Sequence, residues 1–97
     1  MARPIIGVCT IELSLDGVHS LKEKRSILQS LIRRMRSEFN ASVAEVDDLD
    51  LWNSAVIAAA VVSSDSRHAN SMLSKIADWV EVQGRDVEVI DQTIEIF

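Results

Sequence analysis

The chain has 97 residues, 47% of them hydrophobic, and ten Lys and Arg stand against fifteen Asp and Glu for a net charge of −5. That length supports one domain, 1–97, whose core needs neither metal nor disulfide staples, and it is too short for two. The lone Cys9 excludes an internal disulfide, and neither a secretory signal nor a run of roughly 18 to 20 apolar residues is present, so a cytoplasmic protein with no membrane partner is expected.

Pro4 to Leu15 alternates, with Ile5, Gly7, Cys9, Ile11, Leu13 and Leu15 on one side. This predicts a strand with one fully apolar face and its proline at the start, where the ladder tolerates it. Asp16-Gly17 reads as a turn, and Ser20-Leu21-Lys22-Glu23 fits a capping box that starts a helix at Leu21. Leu21, Leu28, Leu31, Ile32, Met35 and Phe39 then fall within an arc of roughly 100°, a stripe suited to packing on a sheet.

Ala41 to Val46 reads as a short second strand, and 47–53 as a connection too polar at its start to stay in a ladder. Ser54 to Val62 is apolar at nearly every position, the pattern of a central strand covered on one or both faces. Ser63-Ser64-Asp65-Ser66 offers N-caps for a second helix with the stripe Ala69, Met72, Leu73, Ile76 and Val80, and Gly84 is placed to cap its end. Asp86 to Phe97 reads as the last strand. Its alternation slips between Val87 and Val89 and the later Ile90, Ile94 and Ile96, which predicts a bulge or an edge position.

The order β-α-β-β-α-β predicts a ferredoxin-like α/β sandwich of the α+β class: a four-stranded antiparallel sheet with two helices on one face. The first and third strands, the most apolar, would take the centre.

Ser20-Leu21-Lys22-Glu23-Lys24-Arg25, together with Val43-Ala44-Glu45-Val46-Asp47-Asp48-Leu49-Asp50-Leu51-Trp52 and the Val62-Ser63 strand end, resembles the YlxP-like bacterial family, domain of unknown function 503. The resemblance runs from Ile6-Gly7 to the final Ile-Glu-Ile. It implies a ferredoxin-like fold. Genes of the family often lie near those for translation initiation factor 2 and ribosome-binding factor A, which implies a role around the small ribosomal subunit. It brings no catalytic residues, because none are established for the family.

Residues 21–39 hold six of the ten Lys and Arg but only two of the fifteen acids, +4 by count against −9 for the rest. Such asymmetry marks a binding surface. Lys22, Arg25, Arg33 and Arg36 fall within an arc of roughly 80° beside the apolar stripe, with Ser26, Gln29, Ser30 and Ser37 next to them. From Lys22 to Arg36 is about 21 Å along a helix, enough to follow several phosphates of an RNA strand. These four are the nucleic-acid-binding candidates, with ribosomal RNA or a ribosomal or translation-factor surface as partner; the alternative is an ordinary solvated helix face, partly paired with acids.

Glu45, Asp47, Asp48 and Asp50, closed by Trp52, form an acidic connection. It lacks the glycine turn and distal glutamate of a calcium loop, so no metal is expected there. Two readings stay open: carboxylates pairing with arginines of the first helix while Trp52 packs under the hairpin, or an acidic protein-binding loop. Asp47, Asp48, Asp50 and Trp52 are therefore interaction candidates. So are Ile6 and Val8, on the sheet side the helices leave bare, where a homodimer or protein partner would sit.

His19 and His68 have no partner at ligand spacing, and Ser63 and Ser64 lack the glycines of a nucleophile elbow. There is no CxxC and no glycine-rich phosphate loop, and no aromatic in the first or third strand to stack bases. The expectation is a non-enzymatic binding module without a cofactor.

Overall fold

A computed structural model describes residues 3–83 and 86–97. The period-2 pattern of the first strand appears in it as β1 (Ile5–Ser14), with Gly7, Cys9, Ile11 and Leu13 buried. Then come α1 (Leu21–Glu38), β2 (Ser42–Asp47), β3 (Ser54–Ser63), α2 (Ser66–Gln83) and β4 (Glu88–Ile96). The strands form one sheet in the order β2-β3-β1-β4, antiparallel at every pairing. This is the expected ferredoxin-like α+β arrangement, with the two most apolar strands in the centre and both helices on one face.

Register explains the core. Cys9 pairs with Ala59 and Ile11 with Ile57, so the odd positions of β1 and β3 make a single dry surface. Leu28, Leu31 and Met35 of α1 and Ala69, Leu73, Ile76, Ala77 and Val80 of α2 close over it. At Gly7 α2 packs close on the strand: a Cβ there would lie 2.7 Å from Leu73 Cδ1 and 3.1 Å from Ile96 Cδ1. Phe39 and Trp79 meet edge to face, with ring centroids 5.8 Å apart, and tie the two helices together.

The apolar run of β3 is covered on one face only. Ala55, Ile57, Ala59 and Val61 are buried, whereas Val56, Ala58 and Ala60 are half-buried and Val62 is 71% exposed. Two helices crossing on the same side leave nothing to cover the other.

The slip in the last strand is a bulge. β1–β4 pairing shifts between Glu12 and Leu13, which face Asp91 and Val89, so Ile90 is the extra residue. A second irregularity lies in β2 between Glu45 and Asp47. Gly17 has φ +83°, as the turn before α1 requires. Asp65 caps α2, its Oδ1 accepting the Arg67 N–H at 3.0 Å; the C-cap expected at Gly84 lies outside the described residues.

Candidate functional site

The first helix begins where its cap predicts. Ser20 Oγ accepts the Glu23 N–H at 3.1 Å, while the Glu23 carboxylate accepts the N–H of His19 at 3.4 Å, one residue earlier than a capping box requires. The six basic residues of α1 then meet three different fates.

Lys24 is buried, only 1% exposed. It lies three residues after Leu21 and four and seven before Leu28 and Leu31, inside the apolar stripe. Its Nζ donates to the carbonyls of Asp48 at 2.6 Å and Leu51 at 2.5 Å, and pairs with Glu45 Oε2 at 3.0 Å. Two hydrogen bonds and one charge contact thus surround the ammonium with three oxygens, the compensation a buried lysine needs. Glu45 Oε2 is itself buried and has no aligned hydrogen bond, so the ammonium is its only compensation among the described residues.

Arg34 leaves the basic row on the other side, its guanidinium 5.9 Å from the centroid of the Trp79 ring and its Nε donating to the Ser30 carbonyl. The remaining four, Lys22, Arg25, Arg33 and Arg36, are exposed. Arg36 also donates from one terminal nitrogen to the Val43 carbonyl on β2, which fixes the C-terminal end of the row beside that edge of the sheet. Among the described residues the sole ion pair is Lys24–Glu45, so no carboxylate lies in salt-bridge range of the row. A groove of about 590 Å³ runs beside it, lined by Gln29, Ile32, Arg33, Arg36, Ala44 and Glu45.

The acidic connection corrects one expectation. No arginine pairs with Asp47, Asp48 or Asp50 among the described residues, and Trp52 does not pack under the hairpin but is 51% exposed. The two motifs do form one unit, through Lys24 and the loop backbone. Lysine reaches in because its stem follows the apolar stripe and its compact ammonium can collect carbonyls from a turning chain. Asp48 has φ +59° and accepts the Ser54 hydroxyl at 2.8 Å, and Asp47 accepts the Asp48 N–H at 2.8 Å. Asp47 and Asp50 stay exposed. The Lys24–Glu45 pair was missed by sequence reasoning; a lysine at core spacing within the stripe, with Glu45 as the strand's one acid between apolar neighbours, was the available signal.

On the open sheet face Ile6 is 42% exposed and Val8 half-buried, beside Val62, Ala60 and Ala58 of β3. Toward β4 the face turns acidic, since Val8 pairs with Glu95 and Glu12 with Asp91. Cys9 is fully buried, and burial pushes its thiol up from 9.0. Among the described residues no group of three or more His, Cys, Asp or Glu is placed to hold a metal ion, and no helix is long and apolar enough to cross a membrane.

A family model for a protein of unknown function, DUF503, matches residues 6–94. The chain belongs to the DUF503 family. Within DUF503, this chain is similar to the uncharacterized protein YlxP of Bacillus subtilis (strain 168), 29% identical over 77 residues, which is 79% of this chain and 84% of that protein. A solved structure, that of SnoaB, a cofactor-independent oxygenase from Streptomyces nogalater, is similar with 16% identity and a TM-score of 0.41 over 97% of this chain and 90% of that one. Likeness at that level carries no argument about what a DUF503 protein does.

Proposed function

We propose that the protein is a binding module that docks on ribosomal RNA, or on a ribosomal or translation-factor surface, through the α1 row Lys22, Arg25, Arg33 and Arg36. The observation that carries this reading is the row itself: four exposed cations, none with a carboxylate in salt-bridge range among the described residues, spread over about 21 Å of helix on a chain of net charge −5. Of the six basic residues in α1, Lys24 is held in the loop, Arg34 lies over Trp79 and Arg36 is tied by one guanidinium nitrogen to the Val43 carbonyl. Lys22, Arg25 and Arg33, with the exposed remainder of Arg36, are left for a partner. Arginine forks and the neighbouring Ser26 and Gln29 suit phosphate oxygens, and the family's gene neighbourhood points to the small subunit.

Arg25→Glu combined with Arg33→Glu should abolish salt-sensitive co-sedimentation with purified small ribosomal subunits while leaving thermal unfolding unchanged. Co-sedimentation that survives in this variant rules the reading out.

A second reading rests on the open sheet face. Ile6 at 42%, Val62 at 71% and Phe97 at 67% exposure surround half-buried Val8, Ala58 and Ala60, an apolar surface suited to a homodimer. Phe97 belongs to it because its backbone pairs with Ile6 in both directions. Solution mass decides: Val8→Glu should halve it, and a wild-type monomer at high concentration removes this reading.

A further inference from the structure

We propose that 46–52, the end of β2 and the turn that follows it, is a pre-organised docking loop for an amphipathic protein segment whose apolar face is rimmed by lysines or arginines. This goes beyond the α1 row and uses none of its residues.

The carrying observation is a mismatch between backbone and side chains. The loop backbone is fastened from within: Lys24 holds the carbonyls of Asp48 and Leu51, the Leu51 N–H donates to the Asp48 carbonyl at 3.0 Å, and the Asn53 carbonyl accepts the Leu15 N–H at 2.9 Å. A loop fastened only to close the end of the core would turn its apolar side chains inward. Here they face water: Val46 is 51% exposed, Leu49 55%, Leu51 49% and Trp52 51%. Burying a lysine is costly, and what it secures is a rigid loop with an aromatic and three aliphatic residues outward. Rigid aromatic and aliphatic anchors are the groups that dominate binding energy, and fixing them in advance lowers the entropy lost on association.

Charge selects the partner. Asp47 and Asp50 are exposed on the same short segment, with no cation in salt-bridge range among the described residues. An apolar face with a lysine or arginine rim complements both features, whereas an anionic lipid surface or a nucleic acid would be repelled by the two carboxylates.

The test uses the full chain with Trp79→Phe, which leaves Trp52 as the only indole of the two tryptophans. The probes are a synthetic amphipathic peptide of leucine and lysine and its counterpart of leucine and glutamate. The lysine peptide should shift Trp52 emission to the blue, and the glutamate peptide should not. Asp47→Asn with Asp50→Asn should weaken binding about tenfold, and in the wild type Trp52→Ala should weaken it about 30-fold when followed by calorimetry. Amide exchange on the unsubstituted protein gives a reading independent of Trp79→Phe: added protection should map to 46–52. Protection on Glu88, Asp91 and Glu95 of β4 instead, unchanged affinity in Trp52→Ala, or an equal blue shift with anionic phosphatidylserine vesicles overturns the proposal. Small-subunit co-sedimentation should be unchanged by Trp52→Ala, so failure here and failure of the α1 reading give different results.

Discussion

Replacing Lys24 by methionine keeps the hydrocarbon stem and removes the charge, which isolates the work of the ammonium. Three oxygens lose a partner. The Asp48 carbonyl still accepts the Leu51 N–H, so its loss is partial, but the Leu51 carbonyl and Glu45 Oε2 lose theirs outright. Glu45 keeps 17% of its side chain exposed and is therefore left as a mostly buried, unpaired carboxylate. Breaking a buried pair in this way costs about 3–5 kcal/mol, and an orphaned buried carbonyl costs about 1–3 kcal/mol. Partial access of Glu45 to water puts the expected total for Lys24→Met near 4 kcal/mol. Most of that penalty comes from the carboxylate left behind, so adding Glu45→Gln should restore about 2 kcal/mol, making the double variant more stable than Lys24→Met alone. Urea unfolding at pH 7 of the wild type, both single variants and the double variant measures this directly, provided the denaturant slopes agree. A Lys24→Met cost below about 1 kcal/mol, or single-variant costs that simply add, would refute the claim that this ion pair fastens the loop.

Other expectations follow from single contacts. Gly7→Ala should cost about 1 kcal/mol and Gly7→Val about 3 kcal/mol in chemical denaturation, because the added Cβ meets Leu73 Cδ1 at 2.7 Å in a buried position. Ser20→Ala should lower stability by about 1 kcal/mol through loss of the Glu23 N–H bond, and Ser20→Asp should recover it. The raised Cys9 pKa means that the unfolded chain releases its thiol proton near 9.0 while the native chain retains it. Native stability from this group is therefore whole below that pH and lost as pH rises above it, by at most about 1.4 kcal/mol per pH unit. Stability measured from pH 8 to 10.5 should fall more steeply in the wild type than in Cys9→Ala; equal slopes refute the reading.

The sequence by itself determined the element order, the central place of β1 and β3, the start of α1 at Leu21 and an irregularity in β4 that it left open as a bulge or an edge position. Each follows from short-range periodicity or a local cap, which a chain carries whatever its tertiary context. It also singled out the residues of the basic row, since helical spacing alone groups Lys22, Arg25, Arg33 and Arg36. Only the tertiary structure decided which charges are free. Lys24 lies between Leu21 and Leu28 in the pattern, and nothing local says whether a lysine at core spacing will lean out to water or collect oxygens from a loop 24 residues away. That choice depends on where β2 turns into β3 above the end of the helix. The exposure of Trp52, 51%, was likewise a tertiary outcome, since nothing local says whether a tryptophan that closes an acidic connection packs under the hairpin or faces water.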